Sequence, residues 1–200
     1  MGLRERKKAQ LIKQIQTVTI DLIKKVGYEA VTVDAIVQTV EISPPTFYKY
    51  FSSKDDVLRA IANEFLYNSL VEFVANNRGE TTIRGQLVKM FDQLSHLICN
   101  DSELWRAIVL ADAFNPFRWP EQREHELDMM KSLEQLFSLA QQQQELGLNY
   151  EPETLAHSLV SIQVMTLLNW SASQWNQQDL YQRFAQAIDF VFSAAGEGKA

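Results

Sequence analysis

The stretch that decides the fold is GYEAVTVDAIVQTVEISPPTFYKYFSSKDDVLRAI, Gly27–Ile61. Within it Val33, Ile36, Val37 and Val40 fall on one side of a short helix, VDAIVQTV, with Thr32 placed to cap it. A turn at Glu41–Ser43 follows. Ser43 then has the side chain of an N-cap for a third helix, PPTFYKYF, and Pro44 takes the first helical position, where its missing N–H costs nothing. Phe47 and Phe51, four apart, form the buried side of that helix. Ser52 or Ser53 opens the next one. Two short helices joined by a tight turn, the second small and capped, have the spacing of a helix-turn-helix.

Upstream, Ile12, Ile15, Val18, Thr19, Leu22, Ile23 and Val26 recur at helical steps and predict one amphipathic helix, with Lys13, Gln16, Asp21 and Lys24 off its apolar face. Gly27 should end it in a left-handed conformation, and Lys24 and Lys25 suit the negative end of its dipole. Downstream, apolar periodicity predicts helices over about Lys54–Asn76, Thr82–Cys99, Ser102–Phe114, Glu121–Glu145, Pro152–Trp175 and Asp179–Ala195. Breaks fall at Arg78–Glu80, at NPFRWP and at Gly147. The expected fold is all-α, with about nine helices. Residues 1–53 would form one domain, which holds the helix-turn-helix, and 54–200 a second, helical domain.

Composition agrees. Only 7 Gly and 5 Pro in 200 residues favour long helices over many-turned β structure. A single cysteine, Cys99, forbids an internal disulfide, and its apolar neighbours Leu97 and Ile98 argue against a redox switch. The basic start MGLRERKKAQ is not followed by an apolar signal core, and no apolar run could span a bilayer. The protein is therefore expected to be cytoplasmic, with no membrane partner. Charge is uneven: residues 1–60 carry ten Lys or Arg against seven Asp or Glu, and the remainder nine against eighteen. A basic head on an acidic body points to a polyanionic partner for the head.

In a helix-turn-helix, the second helix enters the major groove with its N-terminal residues near base edges. Its outward side here would carry Pro44, Pro45, Thr46, Tyr48, Lys49 and Tyr50. Lysine and tyrosine suit phosphate contacts, and Thr46 suits a thymine methyl or a hydrogen bond. Lys54 would reach a neighbouring phosphate, and Arg4, Arg6, Lys7 and Lys8 would follow the backbone or enter the minor groove.

These residues carry a family resemblance. Gly27-Tyr28, Thr32-Val33, Ile36, Ser43, Thr46-Phe47-Tyr48, Tyr50-Phe51 and Ser53-Lys54 resemble, in order and spacing, the DNA-binding region of TetR-family regulators. The likeness covers roughly residues 8–62. It implies DNA contacts from Thr32, Ser43, Thr46, Tyr48, Lys49, Tyr50 and Lys54, with Tyr48 and Lys54 as phosphate anchors and Phe47 and Phe51 in the core. Two positions depart from the family pattern. Glu41 stands where the turn usually has a small residue or glycine, and Pro45 where the recognition helix usually has glycine or alanine.

The resemblance further implies that the helices after about Asn63 are regulatory and that the last two form a homodimer. Independently, apolar residues occupy more than one stripe of the helix over Leu155–Trp175, which calls for two partners. The expected dimer contacts are Leu159, Val160, Val164, Leu167, Leu168, Phe184, Ile188 and Val191. An effector site would be lined by Phe65, Phe91, Leu94, Trp105, Ile108, Phe137 and Met165, with Asn169 orienting a small apolar or aromatic molecule.

The partners expected are thus double-stranded DNA with a palindromic operator, a small-molecule effector and a second copy of the chain, with repression as the outcome. No cofactor is expected. His96, His125 and His157 lack the neighbours a metal site needs, and no phosphate-binding glycine loop, nucleophile elbow or paired-carboxylate signature suggests an enzyme. The competing reading is a helical adaptor that has lost DNA binding, for which Glu41 and Pro45 are the support.

Overall fold

The computed structural model describes residues 2–62, 64–65, 82–113 and 123–196. These are helical throughout, in nine α-helices and one 3-10 turn, with no strand among the described residues. The helices are α1 (Leu3–Val26), α2 (Val33–Val40), α3 (Pro44–Tyr48), α4 (54–62 and 64–65), α5 (Ile83–Asn100), α6 (Ser102–Ala113), α7 (Arg123–Gln142), α8 (Pro152–Ser171) and α9 (Gln177–Ala195). None is long and apolar enough to cross a membrane.

Packing groups them into two compact units: α1, α2, α3, α4 as far as residue 64, and α6; then α5 with α7, α8 and α9. The boundary expected between 53 and 54 follows the chain, whereas the packing does not. The difference arises because α6 lies against α1 and the 3-10 turn Tyr28–Ala30. Lys24 reaches Asp101 at 2.5 Å, which ties the last turn of α1 to the start of α6.

In the first unit α1 buries Ile15, Thr19 and Ile23, as its periodicity predicts. Two residues differ from that expectation. Gln16 is buried and Val26 is exposed, because the buried stripe leans to one side of the predicted face. The basic leader is the first two turns of this helix rather than an extended arm, with Glu5 accepting from the Gly2 N–H at 2.8 Å. Gly27 ends α1 at φ 79°, ψ 153°, a combination open essentially to glycine alone. Thr32 caps α2 by accepting from Ala35 N at 3.1 Å. Ser43 caps α3, and Ser53 caps α4 by accepting from Asp56 N at 3.2 Å. α3 is shorter than predicted. It stops at Tyr48, and Lys49 and Tyr50 form a turn that delivers Phe51 to the core.

The second unit is built on α9, which packs on both α5 and α8, while α7 packs on α8 and α5. Leu180, Phe184, Ala187, Ile188, Val191, Phe192 and Ala195 form its buried stripe. Phe184 stacks obliquely on Phe91 at 5.1 Å and Phe192 on Phe137 at 6.0 Å between ring centres. α7 ends at Gln142 rather than at Glu145, because Gln144 turns into the left-handed region at φ 61°. Glu145 is thereby free to cap another helix: its carboxylate accepts from Ile83 N at 2.9 Å and Arg84 N at 3.3 Å, the open start of α5. α8 ends at Ser171, four residues before the predicted Trp175. The predicted breaks at 78–80 and 115–120, and the ends of the fourth and sixth helices beyond residues 65 and 113, lie outside the described residues.

The turn between α2 and α3 is closed by Glu41 at φ 60°, ψ 44°, a left-handed position that costs a side-chain-bearing residue about 1–2 kcal/mol. Glu41→Gly is therefore expected to raise stability by about 1 kcal/mol, read as a higher denaturation midpoint at unchanged slope. Gly27→Ala, at a φ that disfavours any Cβ, should lower it by about 1–3 kcal/mol in the same measurement.

Candidate nucleic-acid interface

α3 has five residues and buries one side chain completely, Phe47. Phe47 meets Tyr48 edge-on at 5.5 Å and Phe51 at 5.9 Å between ring centres. With Phe47 fixed inward, helical geometry sets the rest. Pro45, two residues back and about 200° around, points away from the core, and Tyr48 and Lys49 lie beside it at i+3 and i+4. The exposures agree: Pro44, Pro45, Lys49 and Tyr48, the last at 57%, are all open, while Thr46 and Tyr50 are half-buried.

The cap of α3 uses the hydroxyls next to this face. Ser43 Oγ accepts from Thr46 N at 3.3 Å and lies 2.8 Å from Thr46 Oγ1, so the two hydroxyls bond to each other. Thr46 N also donates to Ser43 O and Phe47 N to the same carbonyl, at 2.9 and 3.2 Å. Lys49 Nζ sits 5.7 Å from the Tyr50 ring centre. Thr32 is exposed at the start of α2, and Arg4 and Arg6 are exposed on the first turns of α1.

Lys54 stands differently from the expectation of a phosphate anchor. Its ammonium donates to the carbonyls of Tyr28 and Val31 at 2.8 and 3.0 Å and lies 4.1 Å from the Tyr28 ring centre. It secures the end of the 3-10 turn to the start of α4. Tyr28 joins the same junction by donating its hydroxyl to Asp55 Oδ1. Burial, then the Asp55 hydrogen bond, then the charges of Asp55 and Glu29 hold the Tyr28 phenol well above its ordinary range, so it stays a donor. Sequence reading missed this junction: its partners are 23 to 27 residues apart, too far for any local pattern.

The residues expected to line an effector site are divided between the two units. Trp105 and Ile108 are buried on α6 in the first unit, whereas Phe91 and Phe137 are buried and Leu94 half-buried in the second. Phe65, Asn169 and Met165, the last 56% exposed, face outward. α8 turns its inward side through Leu159, Gln163, Thr166 and Trp170, which leaves Met165 and Asn169 on the other side. Gln163 is the buried polar group that was overlooked: its Nε2 donates to Phe184 O at 3.3 Å, and its Oε1 has no partner in the described structure.

The expected dimer contacts also separate. Leu159, Phe184, Ile188 and Val191 are buried within the subunit and are not available to a partner. Val160, Leu167 and Leu168 are half-buried, and Val164 is 46% exposed. Phe190, not anticipated, is 64% exposed and borders an open cleft with Thr154, His157, Ser158, Ser161 and Ile162.

Comparison with known proteins bears on both units. Residues 15–61 match the family described as bacterial regulatory proteins, tetR family. The HTH-type transcriptional regulator TcmR of Streptomyces glaucescens is 38% identical over 69 residues, which are 32% of this chain and 30% of that protein. The chain thus matches about a third of that relative's length. Among solved structures, FadR of Thermus thermophilus, a TetR-family repressor in complex with lauroyl-CoA, superposes with a TM-score of 0.76 at 16% identity, covering 94% of this chain and 97% of that one. FadR of Bacillus subtilis in complex with stearoyl-CoA gives 0.66 at 16% identity over 90% and 97%. At these identities the structures report a shared fold: an N-terminal helix-turn-helix followed by a helical C-terminal region.

Removing the Lys54 ammonium would take its donor from the Val31 carbonyl and leave the Tyr28 carbonyl only the Val31 N–H. Lys54→Met is expected to cost about 1–3 kcal/mol of stability with no DNA present, read by denaturation of the free protein. Tyr28→Phe should cost about 1–2 kcal/mol in the same assay, because the lost bond runs to a charged acceptor.

Proposed function

We propose that the chain, whose residues 15–61 match the tetR family of bacterial regulatory proteins, is a ligand-responsive, DNA-binding transcriptional repressor that acts as a homodimer. The family is one of regulators, not of enzymes. The observation that carries the reading is the pose of α3, with Phe47 inside and Pro44, Pro45, Tyr48 and Lys49 on the open side. In this reading Tyr48 and Lys49 hold phosphates, Thr46 and the two prolines meet base edges, and Ser43, Thr32 and Tyr50 support them from the flanks. Arg4 and Arg6 add positive charge from the first turns of α1. Lys54 acts from behind by holding the 3-10 turn and α4 together.

Dimerisation uses what the subunit leaves uncovered on α8 and α9. Val164, Met165 and Phe190 are apolar and open, and Val160, Leu167 and Leu168 are half-covered. A two-fold axis through this face makes an isologous contact. It would carry the two α3 helices into successive major grooves of a palindromic operator, about 34–36 Å apart.

The effector is a small, largely apolar or aromatic molecule received among the C-terminal helices, where Phe91, Leu94 and Phe137 supply apolar wall and the free Gln163 Oε1 a polar contact. It releases DNA by binding better to a state whose recognition helices no longer match the grooves. Equal affinity for both states would shift nothing.

Two measurements test this. Binding to duplexes enriched from genomic DNA should weaken linearly with log salt, and Tyr48→Ala with Lys49→Ala should cost at least about tenfold while lowering the salt slope by about one per lysine removed. Salt-independent binding, or none, would favour the adaptor reading. Val164→Arg with Phe190→Arg should give a folded monomer in sedimentation equilibrium. A dimer that survives both changes would place the interface elsewhere.

A further inference from the structure

We propose that the Pro44-Pro45 pair is a thymine-methyl reader, so that each operator half-site is selected for the C5-methyl of a thymine facing the start of α3. The inference rests on the DNA-binding reading above and adds what that surface recognises.

The argument is an inventory of the atoms α3 can present. Pro44 and Pro45 occupy the first two helical positions and have no N–H. The next two amides are already engaged, Thr46 N on Ser43 Oγ and Ser43 O, and Phe47 N on Ser43 O. No backbone donor of this first turn is left for a phosphate or a base. Ser43 and Thr46 bond to each other through their hydroxyls at 2.8 Å, which leaves one O–H between them, and Thr46 is half-buried. What remains open is hydrocarbon: two exposed pyrrolidine rings, with Pro45 at the centre of the face opposite the buried Phe47.

In the major groove three of the four base edges offer such a surface no methyl group, only hydrogen-bonding atoms beside ring C–H: the acceptors of guanine, the acceptor and donor of adenine and the donor of cytosine. Covering any of them with a ring that cannot bond leaves a desolvated polar group, which is unfavourable. Thymine alone projects a methyl group, whose burial against a ring is favourable. Tyr48 and Lys49, beside Pro45 on the same face, can hold phosphates while the prolines meet the base edges.

The test is a methyl scan. Full-length protein is used to enrich duplexes from a randomised library, and in the best binder each thymine is replaced in turn by deoxyuridine, which removes the methyl and leaves the hydrogen-bonding pattern intact. At least one thymine per half-site should show a loss of about fourfold in affinity, the fold-change for one methyl-sized group. Pro45→Ser, which keeps a residue suited to a first helical turn, should abolish that loss at the same position. Uniform affinity across the scan would overturn the proposal even while DNA binding stands, as would a Pro45→Ser protein with undiminished methyl dependence. A uniform wild-type scan is decisive without any variant. Failure to enrich any duplex would remove the DNA-binding reading and this inference with it.

Discussion

A helix of five residues has no stability of its own, since helix nucleation is unfavourable and isolated helices need about 12–15 residues even to be marginal. α3 exists because Phe47 is buried. Full burial of such a side chain contributes about 1.5–3 kcal/mol, and its ring contacts with Tyr48 and Phe51 add to that. The Ser43 cap contributes about another 1 kcal/mol and fixes where the helix begins. Against a typical net stability of about 5–15 kcal/mol these terms are large. The anchor also sets direction: with Phe47 inward, the rotation of the helix is no longer free, and the residues two positions to either side of it, Pro45 and Lys49, turn outward with Tyr48 beside them.

Much of this was legible because it is local. The caps at Thr32 and Ser43, proline at the first position of α3, the glycine stop of α1 and the apolar spacing in α2 each lie within a few residues of what they control, and all appear where the sequence reading put them. Interactions that cross the chain were not legible. Lys54 looks like an exposed cation at a helix start, yet its ammonium is spent on carbonyls of the turn 23 and 26 residues earlier. Glu145 looks like the tail of α7, yet it caps α5 across 61 and 62 residues. A carboxylate or ammonium has no periodicity of its own, so only the tertiary fold shows where its charge goes.

The dimer face shows a second kind of blindness. Periodicity reports that a stripe is buried but not what buries it. On α9 the strongest stripe, through Phe184, Ile188 and Val191, was assigned to a partner subunit and instead packs inside the subunit. That stripe is already covered by α5 and α8. What stays open, and what the proposed dimer would use, is less regular: Val164 and Met165 on α8 and Phe190 on α9. The informative signal was the apolar residue that the main stripe does not explain, and Phe190 is one.

Two places where the chain departs from local rules lie on either side of the α3 cap. Glu41 occupies a left-handed turn position better suited to glycine, and Pro45 removes a second amide from a helix start that already lacks one. Neither side chain is buried. The core side of the same segment keeps every rule, with Ile36, Val37, Val40 and Phe47 all inside. Residues that answer to the core are held to volume and polarity by packing, whereas Glu41 and Pro45 answer only to backbone geometry and to whatever approaches from solvent. The strain at Glu41, about 1–2 kcal/mol, is smaller than the gain from burying Phe47 and its neighbours, so the turn tolerates it. In the proposed complex its charge would stand near a polyanion, and within about 8 Å such a charge is only partly screened at physiological salt. A negative turn and an amide-poor helix start both weaken non-selective attraction to phosphate. In the proposed complex contact with the bases would then contribute a larger share of binding, which shifts the balance from general affinity towards discrimination.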